Sequence, residues 1–186
     1  MGPNDADLMQ RWQRGDPLAF EAVVHRWQQF VARLLTRLVG RTELVQDLCQ
    51  EVFLRVYHAG ARYRETGAFT TWLYRITLNV ARDAGRRRRH EPASLEGHEP
   101  MDRRAPADAV CQQHEFAEAV AEAVAELPEP LREVLVLHHY EEMNFEQIAR
   151  LTGTPASTLK SRFAAALGRL RIRLRQLGWA PEETES

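Results

Sequence analysis

The sequence predicts an all-α fold in which a flexible linker joins two small helical domains. Apolar residues recur every three or four positions along most of the chain, which is the spacing of a buried helical stripe. No segment shows the alternation of apolar and polar residues that a half-buried strand requires. Residues 90–110 contain prolines and lack an apolar period, which predicts the linker. The predicted divisions are residues 1–89, 90–110, 111–178 and an acidic tail, 179–186.

Proline, glycine and threonine set the predicted helix boundaries in the first half. Pro17 suits the first turn of a long helix, and Gly40 ends it. Thr42 is placed to cap the next helix, and a glycine-containing loop follows at 59–68. The predicted helices are about 5–14, 17–38, 42–58 and 70–89.

In the second half, capping signals indicate two consecutive helices near the end of the chain. Asn144 and Gln147 have the spacing of a capping box, and Gly153 ends the short helix that they begin. Thr154 is predicted as the N-cap of the last helix, with Pro155 in its first turn. The predicted helices are about 111–126, one through 131–137, 144–152 and 155–176.

Net charge is −1 over the whole chain, but its distribution is uneven. Residues 1–89 sum to +6, residues 90–157 to −10, residues 158–178 to +6 and the tail to −3. Two basic blocks that flank an acidic middle indicate two separate contacts with polyanions.

Composition excludes several classes of protein. No apolar run reaches the ~18 residues needed to span a bilayer, and the acidic start of the chain is unlike a signal peptide, so a cytoplasmic protein without membrane insertion is expected. Cys49 and Cys111 stand far apart without CxxC partners, which argues against a disulfide framework and a cysteine zinc site. We therefore expect no metal and no cofactor.

The strongest single motif is the helix pair at 144–176, which has the form of a helix-turn-helix. In that motif the N-terminal part of the second helix enters the major groove of DNA. Lysine, arginine and hydroxyl side chains there suit phosphates and base edges. The candidate residues are Ser157, Thr158, Lys160, Ser161, Arg162 and, one turn later, Arg169.

A second candidate surface lies in residues 57–89, where aromatic residues alternate with arginines. Aromatic faces can stack on unpaired bases while arginines follow the backbone, a combination typical of single-strand binding. Asn79 can read a base edge through its amide. The candidates are Tyr63, Phe69, Trp72, Arg75, Asn79, Arg82, Arg86 and Arg87. Taken singly, each aromatic residue fits a place in the core better than a stacking surface, and the arginine run is also compatible with a solvated helix end.

Together these segments resemble a known family. The run Asp47 to Val56 and the run Phe69 to Asp83 are similar to region two of extracytoplasmic-function sigma factors, and Leu127 to Leu137 with Glu146 to Arg162 resemble their region four. The resemblance implies a region-two helical bundle and a region-four helix-turn-helix. It also implies two partners, core RNA polymerase and promoter DNA, and family members are often held inactive by an anti-sigma factor.

The resemblance also assigns roles to residues. The helix at 42–58 docks on the clamp of the largest polymerase subunits in the family, a role that falls here on Asp47, Gln50, Glu51, Leu54 and Arg55. The segment 60–83 captures a flipped base of the proximal promoter element, with Asn79 at a position implicated in that readout, and region four reads the distal element. At Ala165 the chain departs from the arginine that the family commonly has, which puts some distal contacts in doubt.

Two other classes of protein compete with this interpretation. An enzyme would depend on His138 and His139, but adjacent helical residues point ~100° apart and cannot share a metal on one face. A conventional helix-turn-helix regulator would use residues 144–176 but would leave the aromatic and arginine block unexplained. Such a regulator binds its site alone, whereas a sigma factor needs core polymerase.

Overall fold

The structure is a computed structural model that describes residues 4–40, 43–64, 68–90 and 109–179. Within those ranges every regular element is helical, which confirms the all-α fold class. The elements are α1 (Asp5–Gln13), α2 (Pro17–Val39), α3 (Val45–Gly60), α4 (Phe69–His90), α5 (Ala109–Ala125), α6 (Glu129–Leu135), a π-helical turn (Val136–Tyr140), α7 (Phe145–Thr152) and α8 (Ala156–Gln176).

Most predicted helix ends are found where the capping residues place them. Asp16 caps α2 by accepting a hydrogen bond from the Leu18 amide, and Gly40, with φ +89°, ends that helix. At α7 the Asn144 and Gln147 side chains each accept from the other's amide at 2.8 Å, so the predicted capping box is confirmed. These caps satisfy amide groups that a helix start leaves without partners.

Two predicted caps have a different outcome. Thr154 does not cap α8: Pro155 occupies that position and no side-chain hydrogen bond forms there. The Thr154 amide instead donates to the hydroxyl of Thr152, at 3.3 Å. Thr42 lies outside the described residues, and α3 begins at Val45.

A π-helical turn follows α6 without a break, and nothing in the apolar spacing predicts it. After it, Glu142 adopts φ +54°, and the Met143 amide returns to the Leu137 carbonyl at 3.0 Å. This compact reversal places α7 against the π-helical turn, α4 and α8. It also presents Glu141 toward the first half of the chain.

One hydrophobic core runs through both halves. Buried residues of α2, α3 and α4, such as Leu35, Val52 and Leu73, belong to the same cluster as Leu137 and Ile148 from the second half. A smaller cluster joins α5, α6 and α8. The two helical halves are therefore packed against each other, while residues 91–108 of the predicted linker lie outside the described residues.

Candidate nucleic-acid and polymerase interfaces

The aromatic residues predicted for the proximal DNA surface form one packed cluster. The Trp72 ring lies 4.9 Å from Tyr63 and 5.6 Å from Phe69, measured between ring centroids. Phe69 is only 5 % exposed and also contacts Trp27, so it belongs to the core and supports the other two rings. Tyr63 and Trp72 are half-buried.

The polar residues of α4 that are predicted to contact DNA differ in their exposure and in their partners within the protein. Asn79 is exposed. Arg75 is exposed, and its Nη2 donates to the Arg150 carbonyl of α7 at 3.1 Å. Arg86 pairs with Asp83 one turn earlier on the same helix.

Arg82 is the candidate most firmly engaged within the protein. Its Nε and Nη2 donate to the two carboxylate oxygens of Glu133 at 2.8 and 2.7 Å. Such bidentate pairs are among the stronger hydrogen bonds in proteins. The hydrogen bonds to Glu133 raise the pKa of Arg82. In this arrangement Arg82 holds the two halves of the chain together.

A second contact between the halves centres on Glu141. Its carboxylate accepts from Tyr74 Oη at 2.6 Å and from Arg37 Nη1 at 2.9 Å. The Arg37 guanidinium also lies 4.5 Å from the centroid of the Tyr140 ring. Burial, followed by the hydrogen bond to Glu141, raises the pKa of Tyr74 above its ordinary value.

The residues predicted for polymerase docking separate into two groups on α3. Asp47, Gln50 and Leu54 are exposed, Leu54 to 59 %, and their spacing places them along one side of the helix. Glu51 and Arg55 are half-buried and form a network with α4. The first group is therefore the more accessible surface.

The network between α3 and α4 is electrostatic. Arg55 pairs with Glu51 on its own helix, and its Nη2 donates to Asp83 Oδ2 at 2.8 Å. Arg87 approaches Glu51 at 3.4 Å. The Arg55 hydrogen bond holds the pKa of Asp83 below its ordinary value, and Asp83 in turn raises the pKa of Arg55. The network thus joins α3 to α4 beside their shared apolar contacts.

The helix-turn-helix is formed by α7 and α8, with Gly153 between them at φ +74°. Leu159, 2 % exposed, and fully buried Ala166 hold α8 against the rest of the protein. Within the described part of the chain, no carboxylate pairs with a cation of the predicted reading surface. That surface comprises exposed Ser157, Lys160, Ser161 and Arg169 and the half-buried Thr158 and Arg162.

Position 165 lies on the exposed side of α8, next to buried Ala166. An arginine there would point into solvent, and alanine leaves that part of the surface without a charge. The distal reading surface thus has one cation fewer than the resemblance led us to expect.

His138 and His139, on which the competing enzyme interpretation depends, do not belong to a metal-binding cluster of the described residues. Among them no group of three or more His, Cys, Asp and Glu residues could hold a metal ion. His138 Nδ1 lies 2.7 Å from the Met143 carbonyl, and its ring stacks on Phe145 at 4.4 Å, so it serves the turn after α6. In the same part of the chain, no helix combines the length and apolar character needed to cross a membrane.

Sequence reasoning did not single out Glu133 and Glu141 as partners of side chains in the first half of the chain. The signal was present in the charge distribution, because an acidic middle segment lies between two basic ones. The basic blocks indicate contacts with external polyanions, but the acidic segment between them also supplies carboxylates to α2 and α4.

Two family models match separate parts of the chain. The family model "Sigma-70 region 2" matches residues 23–91, and "Sigma-70, region 4" matches residues 117–170. The RNA polymerase sigma-H factor of Pseudomonas aeruginosa is 34 % identical, with 87 % of this chain and 89 % of the relative covered. The ECF RNA polymerase sigma-E factor of Haemophilus influenzae is also 34 % identical, with 87 % and 90 % covered.

This chain belongs to the extracytoplasmic-function sigma factors. It is accordingly a transcription initiation factor for RNA polymerase, and its relatives are initiation factors rather than enzymes. Region two of this sigma factor contains α3 and α4, and region four contains the helix-turn-helix. Helix α1 precedes both matched segments.

Solved structures share the arrangement. CnrH in complex with the cytosolic domain of CnrY superposes with a TM-score of 0.65 at 25 % identity, covering 92 % of this chain and 97 % of that one. The Bartonella quintana sigma factor RpoE, solved with the anti-sigma factor NepR, gives a TM-score of 0.63 at 17 % identity, covering 84 % and 96 %. The second likeness concerns the fold alone.

Proposed function

We propose that this sigma factor opens promoters by capturing an unpaired base on α4 while α8 reads a distal duplex element. The observation that carries the proposal is the exposed Asn79 amide on the helix that also holds Trp72 and Arg75. An amide can form two hydrogen bonds with a base edge, and an aromatic ring beside it can stack on a base. Phe69 acts indirectly, by supporting the Trp72 ring.

Opening requires no chemical energy source in this mechanism. Flipping a base costs a few kcal/mol in lost stacking and pairing, which contacts with the extruded base can offset. Arginines on α4 follow the phosphates, and Arg82 joins them only when Glu133 releases it.

Core polymerase docks, in this proposal, on the exposed side of α3 formed by Asp47, Gln50 and Leu54. An exposed leucine beside polar residues suits an interface that is apolar at its centre and polar at its rim. Glu51 and Arg55 support that surface by fixing α3 to α4. Since the protein acts by binding RNA polymerase in this proposal, it acts in the cytoplasm.

Region four provides the distal contact through the N-terminal part of α8. Lys160 and Arg162 suit guanine edges or phosphates, and Ser157, Thr158 and Ser161 add hydroxyl contacts. Arg169 reaches the backbone one turn further along the helix. The Bartonella quintana sigma factor RpoE was solved with the anti-sigma factor NepR, and CnrH with the cytosolic domain of CnrY. We extend to this chain the inference of an anti-sigma partner.

The deciding experiment combines two measurements on the purified chain. Co-purification with bacterial core polymerase is expected, followed by permanganate reactivity of a short upstream stretch on genomic promoter fragments. Both should require core and chain together. Specific duplex binding by the chain alone, without core binding, would instead identify a conventional regulator.

A further inference from the structure

The last residue of α1, Gln13, is hydrogen-bonded to the backbone of the loop that follows α3. Its Nε2 donates to the Gly60 carbonyl at 2.7 Å and to the Tyr63 carbonyl at 2.9 Å. These acceptors lie 47 and 50 positions further along the chain. Because an amide NH2 group has two donors, Gln13 uses its full donor capacity on this loop.

The loop that Gln13 contacts carries one of the aromatic rings of the proximal DNA surface. Residues 61–64 belong to no helix, so contacts with other elements are needed to fix their backbone. The Tyr63 amide donates to the Gly60 carbonyl at 3.0 Å, which closes the turn that Gln13 holds. The Tyr63 ring lies 4.9 Å from Trp72 and 5.9 Å from Phe69, measured between ring centroids. The position of Tyr63 beside Trp72 thus depends on a residue of α1.

Helix α1 is itself fixed at both of its ends. At its start, Asp5 Oδ1 accepts from Arg26 Nη1 at 2.7 Å and from Trp27 Nε1 at 3.1 Å. At its other end, α1 approaches α3 so closely that a Cβ on Gly60 would lie 2.5 Å from Trp12 Cζ3. Gln13 therefore reaches the loop from a helix that is held against both α2 and α3.

A second line of contacts leads from α1 to the same aromatic cluster. Asp5 holds the Trp27 indole, whose ring lies 5.8 Å from Phe69, and Phe69 lies 5.6 Å from Trp72. The cluster is thus supported by α1 from two directions, through the backbone of Tyr63 and through the ring of Trp27.

We propose that α1 positions the base-capture surface, and that Gln13 is the positioning residue that sets Tyr63 beside Trp72. The inference rests on the proposed function, because it takes these rings as the place where an unpaired base stacks. Gln13 acts through Tyr63 and not by touching DNA. Helix α1 precedes both segments that the sigma family models match, so the inference extends the functional surface beyond them.

The test measures how the complex of the full chain with core polymerase binds a fluorescent single-stranded oligonucleotide, by anisotropy. The oligonucleotide has the sequence of the opened promoter stretch, and a series of abasic versions identifies the base whose removal weakens binding most. For the unaltered chain that removal should weaken binding about tenfold, the effect of losing one stacked base. Gln13→Met keeps the length of the side chain but has no donors. In this variant the same removal should weaken binding only about threefold or less, because the rings are no longer held in place.

Two further variants separate positioning from folding. Gln13→Lys again supplies donors for the two carbonyls and should recover most of the discrimination between the intact and abasic oligonucleotides. Gln10→Met, at an exposed glutamine of α1, is the matched control and should discriminate as the unaltered chain does. A chain that was merely less stable would bind both oligonucleotides more weakly by the same factor, which leaves the ratio of the two affinities unchanged.

The ratio of affinities decides between the outcomes. An unchanged ratio in Gln13→Met would overturn the inference, as would an equal fall in Gln10→Met or a fall that Gln13→Lys does not reverse. If the unaltered chain binds every abasic version as tightly as the intact oligonucleotide, base capture itself is contradicted, and the inference with it. Failure of Gln13 alone is therefore distinguished from failure of the proposed function.

Discussion

The Arg82 guanidinium faces the Glu133 carboxylate across the boundary between regions two and four, with both hydrogen bonds at 2.8 Å or less. Glu133 is only 9 % exposed, so the pair is largely shielded from water. A residue predicted to contact promoter DNA is thus held by a carboxylate from the other region. The strand contact proposed for Arg82 therefore requires that its hydrogen bonds to Glu133 be released.

Glu133→Gln should loosen this contact and increase single-strand binding. The uncharged amide cannot maintain the bidentate pair, and the loss should destabilise the folded chain by ~1–3 kcal/mol in urea unfolding. Released Arg82 should also tighten binding to a single-stranded proximal-element oligonucleotide, measured by fluorescence anisotropy. Glu146→Gln, at an exposed glutamate of α7, is the control and should change neither quantity. Unchanged oligonucleotide affinity in Glu133→Gln would contradict a role for Arg82 in strand binding.

Tyr74→Phe should reduce the loss of folding stability as the pH rises into the alkaline range. The raised pKa of Tyr74 means that the folded state favours the neutral phenol, so its contribution is complete below the ordinary tyrosine pKa of about 10 and is lost as pH rises past it. Urea unfolding between pH 8 and pH 11 should decline more steeply for the unaltered chain than for the variant. Tyr57→Phe, at a tyrosine that is 48 % exposed, should retain the steep decline. Parallel profiles for all three proteins would be evidence against the Tyr74–Glu141 contact.

Asn79→Ala should separate promoter opening from folding. Asn79 is exposed, and alanine is the better helix former, so unfolding free energy should not fall. Loss of a bidentate base contact worth ~1–3 kcal/mol should lower open-complex formation about tenfold or more. Permanganate reactivity reports opening, and co-purification with core should be unchanged. Gln28→Ala, on the exposed side of α2, is the control and should open promoters normally. An equal loss of promoter opening in both variants would contradict the base-reading role of Asn79.

Two glycine substitutions should have opposite effects on stability. A Cβ at Gly60 would lie 2.5 Å from Trp12 Cζ3 and 2.9 Å from Met9 Cε, so Gly60→Ala should cost ~1–3 kcal/mol by overpacking. A Cβ at Gly168 meets no atom within 4 Å, and alanine there should stabilise α8 by ~0.5–1 kcal/mol. Thermal unfolding of the two variants is the test. A loss of stability in both would indicate that α8 is packed more tightly than the structure describes.

Local chemistry made most of the helices predictable. The capping box of Asn144 and Gln147 and the glycine ends at Gly40 and Gly153 depend on neighbours within a few residues, which a sequence shows directly. The π-helical turn after α6 could not be predicted, because apolar spacing does not distinguish it from a turn of α-helix. Thr154 shows that a local signal can also have two outcomes: its amide donates to the Thr152 hydroxyl, and its side chain does not cap α8.

The residues of the candidate surfaces could be predicted from the sequence. Which of those residues are buried, or bound to another part of the protein, could not. Tyr74 and Glu141 are 67 positions apart, and Arg82 and Glu133 are 51 apart, so no spacing rule connects them. The same applies to Phe69, whose burial depends on Trp27 of another helix. Asn79 and Leu54 are exposed, which agrees with the roles proposed for them.

The shared core of the two regions has a consequence for energetics. Any ligand that binds only when the regions are apart must also supply the free energy that separates Leu137 and Ile148 from region two. Its measured affinity is then reduced by the fraction of molecules that are open. Polymerase and promoter would then help each other to bind if each selects the open form. Because linkage is reciprocal, each increases the affinity of the other by the same factor, even without direct contact between them.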